Sequence, residues 1–318
     1  MKETHKERNG NYKTIDVLTG KVSDEELRSD TFQAWFWNHY HRGYKGLIYS
    51  RPYQDLLGVF SRLVDVVPKA KLLDVGCSYA ALPAFLWMST KHSGNGRLDE
   101  IHGTDIVKPA WMDDPEAKKS WIKFVRPWLA KKKNRKKMLW FHALSKEKQT
   151  EAIKEELDSM PLRYSCLDLK QIPYDLPENH YDILVSNMVL TYIPYCGGVY
   201  SKDALKIVFR NLHKVLKPGG QFVWSTPKKG VNFIRDFSGS LFDMFYNFIL
   251  PDGNVLLAYG INVLSHALMI QKLGKAGIYT FCDPAEYDEM LVDSGFRPLS
   301  WELSFAGQVW VNKSVKVV

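Results

Sequence analysis

Apolar positions along this chain follow two rhythms, and the two alternate. Short apolar runs bounded by turn residues read as buried strands, and apolar residues recurring every three or four positions read as helices. The run Leu72–Leu73 closes on Asp74 and a small-residue turn, and an amphipathic helix follows from Ala81 to about Ser93. Leu98–Ile106 reads as a second strand, ending in Asp105, and Arg163–Leu169 as a third, ending Cys166-Leu167-Asp168. Tyr181–Met188 is continuously apolar, the pattern of a strand covered on both faces in a parallel sheet. The spacing then predicts a helix over Lys202–Leu216, a Lys217-Pro218-Gly219-Gly220 turn and a strand over Gln221–Ser225. The C-terminal part reads as a helix, Pro284–Ser294, and two strands, Arg297–Phe305 and Gln308–Val315, close enough to pair as a hairpin.

Three segments lie outside this strand–helix alternation. Residues 1–22 read as poorly ordered, and Ser23 with Glu26 forms a capping box that starts a helix. That helix carries Phe32, Trp35, Phe36 and Tyr40 on one face and is expected to break at Gly43 and Gly46, before a second helix over Pro52–Val67. The segment 108–160 is far longer than one crossover helix requires. From Lys118 to Lys137 it holds ten basic residues and no acid, with Trp121, Phe124, Val125, Trp128 and Leu129 at helical spacing around Pro127. The segment 227–283 holds a dense apolar stretch, Phe233–Ile270. The expected division is therefore an N-terminal helical extension, 1–67, and a catalytic domain, 68–318, carrying the basic, Trp-rich insertion and an apolar lid.

A strand that stops in a tight turn before a helix offers a nucleotide-like ligand close backbone approach and free N–H groups. The acid at Asp74 would repel a diphosphate and suits a cationic ligand. Residues 71–80, Lys-Leu-Leu-Asp-Val-Gly-Cys-Ser-Tyr-Ala, resemble motif I of the class I S-adenosylmethionine-dependent methyltransferases, with Ser78 and Ala80 where that family prefers Gly. The Lys-Pro-Gly-Gly turn and Val189-Leu190-Thr191-Tyr192-Ile193-Pro194 after the fourth strand resemble its small-molecule and lipid-quinone branch, the methyltransferase-11 type. The resemblance covers roughly 68–227 and 284–315. It implies an α/β, Rossmann-like, seven-stranded, mostly parallel sheet with helices on both faces and an antiparallel last hairpin.

The same resemblance implies S-adenosylmethionine as cofactor. Asp74, Gly76, Cys77 and Ser78 would surround the donor, with Asp105 and Ile106 at its ribose, Asp168 and Leu169 at its adenine, and Asn187 and Met188 after the fourth strand. A sulfonium methyl is already activated, so such an enzyme chiefly aligns the acceptor and excludes water. Where the acceptor is a hydroxyl or an acidic carbon a base is also needed. Tyr192, Tyr44, His39 and His266 are the candidates, with His41, and the resemblance implies an N-terminal helix that closes over the methyl donor through Tyr40, Tyr44 or Tyr49. The order of the chain gives no Asn/Asp-Pro-Pro-Tyr/Phe after the fourth strand, where enzymes that methylate exocyclic amines of bases carry it. Here it reads Ser186-Asn187-Met188-Val189, which argues against a nucleic-acid amino methyltransferase.

Composition changes the picture at one place. The 318 residues carry a formal net charge of +8, which would fall to −2 without the Lys118–Lys137 run, so the basicity is local. One-sided aromatics with Lys and Arg opposite fit an anionic membrane surface, a nucleic acid, or a solvated face whose tryptophans pack inward. The four cysteines are scattered and suggest neither a disulfide framework nor a zinc site. The polar start of the chain is unlike a secretory signal, and no apolar stretch is long enough to span a bilayer. The expectation is a cytoplasmic enzyme, peripheral on the membrane through Lys118–Lys137, acting on a lipid-like or apolar small molecule. Nucleic-acid methylation and a catalytically silent donor-binding module stand as alternatives. A nicotinamide dehydrogenase does not fit, because of Asp74 and the final hairpin. No HxxxH pattern or cluster of acids suggests a metal site.

Overall fold

The computed structural model describes residues 12–49, 51–90, 98–106, 139–233 and 255–317, with residues 112, 118, 122, 126 and 129 from the basic insertion. Side chains of 40–51, 139 and 255–263 lie outside that description. So do the end of the predicted Ala81–Ser93 helix, the side chain of Tyr44, and most of the Lys118–Lys137 run and the apolar lid.

Seven strands form one sheet in the order β3-β2-β1-β4-β7-β9-β8. They are β1 (Lys71–Val75), β2 (Glu100–Asp105), β3 (Leu162–Cys166), β4 (Tyr181–Asn187), β7 (Leu216–Pro227), β8 (Phe296–Ser304) and β9 (Val309–Lys316). The first five in sequence pair in parallel, and β9 runs antiparallel to both β7 and β8. The expected sheet and its closing hairpin are both present. A two-residue pair, β5 (Tyr195–Cys196) and β6 (Val199–Tyr200), forms a separate ribbon.

Alternation along each strand divides the core in two. Leu72, Ile183 and Val223 face one side, with α3 (Asp30–Tyr49), α4 (Arg51–Leu63), α5 (Ala81–Thr90) and α8 (Val255–Lys275). Leu73, Leu184, Phe222 and Trp224 face the other, with α7 (Ser201–Val215) and α9 (Pro284–Val292). Further described helices are α1 (Thr14–Thr19), α2 (Asp24–Arg28), α6 (Lys146–Ser159), the one-turn helix Leu139–His142 and the 3-10 turns Leu190–Tyr192 and Phe305–Gly307. No helix among the described residues is long and apolar enough to cross a membrane.

Two expectations about the N-terminal segment are corrected. Residues 12–22 are ordered, because Val17 is fully buried, Tyr12 packs edge-on to Phe32, and Gly20 ends α1 in the left-handed conformation. The capping box at Ser23 does start a helix, with its hydroxyl accepting from the Glu26 amide, but that helix stops at Arg28. Ser29 then caps a new one by accepting from the Phe32 amide. This second helix, α3, runs unbroken through Gly43 and Gly46 to Tyr49. Two glycines cost it roughly 2 kcal/mol of helix propensity. Burial of Phe32 and Phe36 against the rest of the fold offsets that loss.

Candidate active site

The carboxyl ends of β1, β2, β3 and β4 open on one cavity of about 540 Å³, within the size range of small-molecule sites. Its floor begins at the turn after β1. Gly76 and Cys77 both donate their amides to the Thr104 carbonyl, at 2.7 and 2.9 Å, which folds the turn back against β2. Gly76 has φ +76°, and a Cβ there would lie 2.4 Å from Cγ2 of Val189, another residue of the cavity wall. The turn continues through left-handed Ser78 (φ 46°) and Ala80 (φ 52°), where the family pattern prefers Gly. Small side chains tolerate that conformation at roughly 1–2 kcal/mol each. The Ser78 amide donates to Oδ2 of Asp105 at 2.8 Å, so the turn and the acid after β2 hold each other in place.

Beyond β3, Asp168 accepts through Oδ1 from the Lys170 amide at 3.0 Å, and Leu167 donates to the Asp105 carbonyl at 3.1 Å. On the far side, Asn187 donates to the Tyr53 hydroxyl (3.1 Å) and accepts from Ser225 (2.8 Å). The Ser225 hydroxyl in turn accepts from the Met188 amide (2.9 Å), which fixes the left-handed Met188 at the end of β4.

Of the donor-site residues read from the sequence, Gly76, Ser78, Asp105, Ile106, Asp168, Leu169, Asn187 and Met188 line this cavity. Asp74 and Cys77 lie beneath it, 2% and 6% exposed. Burial, reinforced by the nearby Asp105 charge, pushes the Asp74 carboxyl well above the usual carboxylate range. Burial likewise raises the Cys77 thiol, with Asp74 and Asp105 adding to it, so Cys77 is held as a neutral thiol. Tyr192 lines the cavity, its ring 5.6 Å from Trp37 and 5.2 Å from Tyr279. His39 and His266 do not line it. His39 is exposed, stacks on Trp35 and donates through Nδ1 to that residue's carbonyl at 2.9 Å. His266 is buried on α8, edge-on to Phe36 at 5.9 Å.

An N-terminal helix does cover the cavity as its roof, but the residues that line it are ones the sequence reading missed. Asp30, Gln33, Ala34 and Trp37 line the cavity from α3, a stripe at i, i+3, i+4 and i+7. The signal was present as that spacing, but the stripe is mixed polar and apolar, and the neighbouring Phe32–Phe36 face dominates the pattern. Gln33 is buried, donating to the Leu27 carbonyl (2.8 Å) and accepting from the Tyr279 hydroxyl (3.1 Å). Asp30 pairs with Lys170 and accepts from the Tyr195 hydroxyl at 2.6 Å. Those two contacts hold its carboxyl below the usual range. Burial works against the charge of Lys170, yet Asp30 and Asp168 beside it keep its pKa above that of an ordinary lysine.

The cavity's donor set fits S-adenosylmethionine. It combines a glycine turn that admits close approach, carboxylates after successive strands, and an apolar far wall of Met188, Val189, Tyr192, Ile193 and Pro194. Residues 138–224 match the family described as the methyltransferase domain. No curated protein matches the chain significantly in sequence. Among solved structures, an S-adenosylmethionine-dependent methyltransferase from Mesorhizobium loti shares 14% identity, over 81% of this chain and 96% of that one, at a TM-score of 0.42. The magnesium protoporphyrin IX methyltransferase of Synechocystis, with bound S-adenosylhomocysteine, shares 12% over 92% and 100%, at 0.45. The CurJ carbon methyltransferase shares 13% over 95% and 63%, at 0.46. The matched segment, 138–224, runs from before β3 into β7, and the sheet order and the cavity at the carboxyl ends of its strands are in keeping with that match.

Proposed function

We propose that this enzyme methylates an apolar, lipid-like small molecule. The observation that carries the reading is the make-up of the cavity's far side, where Trp37 of the roof faces Tyr192, Ile193, Pro194 and Met188 of the floor. An acceptor bound there would be held by burial, at about 25 cal/mol per Å² of apolar surface.

S-adenosylmethionine supplies an activated sulfonium methyl, and the chain supplies position. Asp105 is proposed to accept from the ribose hydroxyls, since a carboxylate takes two donors. Asp168 would accept from the adenine amine, with Ile106 and Leu169 against the ring, and the backbone of Gly76 and Ser78 would approach the donor's amino-acid end. Trp37 and Tyr192 would exclude water from the methyl, and Tyr192 is, of the candidates for a base, one that lines the cavity. Asp105→Ala should weaken S-adenosylhomocysteine binding by about 1–3 kcal/mol, the cost of a lost charge-assisted partner, read by titration calorimetry. Unchanged affinity would remove Asp105 from the donor site.

The decisive experiment supplies methyl-labelled S-adenosylmethionine to the enzyme with a lipid extract, a polar-metabolite extract and purified RNA in parallel. Label in the lipid fraction supports the reading. Label only in RNA would favour the second reading, that the basic run Lys118–Lys137 guides a nucleic acid to the site. Donor binding without any labelled product would identify a silent module.

A further inference from the structure

Lys170 lies two residues beyond the donor-site acid and belongs to no motif of the sequence reading. Its ammonium pairs with Asp30, the first residue of the roof helix α3, and stands 3.7 Å from Oδ2 of Asp168. Its own amide donates to Oδ1 of the same Asp168 at 3.0 Å, so one residue touches both carboxylate oxygens. Tyr195 completes the group. Its hydroxyl donates to Asp30 at 2.6 Å, and its ring carries the Lys170 ammonium 5.4 Å from the centroid. The Lys170 side chain is 23% exposed and Asp168 26%, whereas Asp30 is 68% exposed. The lysine is thus anchored on the donor side and reaches outward to the roof.

We infer that Lys170 is a positioning residue that ties the donor-site acid to the roof, so that its bridge between Asp168 and Asp30 tightens the hold of the first turn of α3 over the cavity. This inference rests on reading the cavity as a donor site. Three features make the bridge the natural fastening. Asp30 sits at the end of the same stripe that puts Gln33, Ala34 and Trp37 over the cavity, so displacing it lifts the roof at its first turn. Farther along the stripe the hold is of another kind, the Gln33–Tyr279 bond and then packing of Trp37 on Tyr192, so that Asp30 is the stripe residue secured by charge. The ligand-facing acid and the roof share one cation, so an adenine amine that competes for Asp168 changes what Lys170 offers to Asp30. Binding and closure become linked through a single side chain.

The test measures release of S-adenosylhomocysteine by stopped-flow fluorescence, and hydrogen exchange of the α3 amides, in Asp30→Asn, Lys170→Met, Lys170→Arg and the double variant Asp30→Asn/Lys170→Met. A partly exposed ion pair reinforced by one charge-assisted hydrogen bond should slow release by about three- to tenfold, so both single loss variants should release faster by that factor. The double variant should release no faster than Lys170→Met alone, because the two residues act through one bridge. Lys170→Arg, which keeps the charge, should restore slow release. In every loss variant the first two turns of α3 should exchange faster. Full additivity, or unchanged release in Asp30→Asn, would overturn the bridge and leave Lys170 as a neighbour of Asp168 only. If wild-type protein binds no S-adenosylhomocysteine, the donor-site reading fails by itself. Hydrogen exchange in the unliganded variants then decides the bridge separately, unchanged α3 protection in Asp30→Asn overturning it.

Discussion

Gly76 shows at one residue how fold and site constrain each other. Its φ of +76° asks for glycine, and the space its Cβ would fill is taken by Cγ2, Cγ1 and Cβ of Val189 at 2.4–2.8 Å. Because the whole valine head is in the way, no rotamer change relieves the clash. Gly76→Ala should therefore cost about 2–4 kcal/mol, the sum of overpacking and left-handed strain, measured by urea unfolding. It should also push Val189 into the cavity and abolish S-adenosylhomocysteine binding. A second residue acts through protonation. His102 of β2 is 5% exposed, with the Tyr181 hydroxyl 2.5 Å from Nδ1 and the Ser165 hydroxyl 2.7 Å from Nε2. Burial, with the nearby Arg163 charge, lowers its pKa from 6.5 to about 4. The unfolded chain takes up this proton as pH falls through 6.5, and the folded chain does so only near 4. Stability from this site is therefore complete above about 6.5 and declines as pH drops toward 4, by up to about 3 kcal/mol. Urea unfolding at a series of pH values should show that slope in the wild type and a flatter one in His102→Gln.

Among elements, the strands and the acids that end them were legible because each is a local signal. The apolar run Ile183–Val185 within Tyr181–Asn187 reports a strand covered on both faces, Asp105 closes β2, and Asp168 lies two residues past the end of β3. What was not legible depends on distant partners. Nothing near Gly43 and Gly46 states that the helix continues, since what holds it is burial of Phe32 and Phe36 beside α8, more than 200 residues later in the chain. The same holds for α1, whose Leu18 carbonyl accepts from Lys272 at 2.9 Å. His39 and His266 were natural candidates for a base, yet helix geometry turns one to solvent and the other into the core. The α4 helix reaches the cavity wall through a buried hydrogen bond, the Tyr53 hydroxyl accepting from Asn187 on β4. Tyr53→Phe keeps the packing but leaves that Asn187 N–H without this acceptor, and should cost about 1–3 kcal/mol in urea unfolding. It should also loosen S-adenosylhomocysteine, because Asn187 and its neighbour Met188 form the cavity wall.

At the scale of the whole molecule, the question is how an enzyme for an apolar acceptor would meet it. The ten positive charges of Lys118–Lys137 are concentrated in one insertion, and the described residues there divide cleanly. Ile122 and Leu129 are buried in the main core, 5% and 0% exposed, while Lys118 pairs with Asp158 and Arg126 reaches the Lys146 carbonyl at 3.5 Å. Apolar residues directed into the protein do not insert into a bilayer, so attachment through these positions would be electrostatic. Each Lys or Arg close to an anionic leaflet contributes about 1 kcal/mol, and the attraction decays within a Debye length of about 8 Å at physiological salt. Flotation should accordingly recover the protein with vesicles containing phosphatidylserine and not with neutral phosphatidylcholine vesicles. Raising the salt to about 1 M, where the Debye length is about 3 Å, should release it. Replacing Lys131, Lys132 and Lys133 with Gln should cut recovery, because it removes three of the ten positive charges of the run. Equal recovery with both kinds of vesicle, or recovery that persists at high salt, would leave the basic run as a solvated face and would detach the membrane from the proposed function.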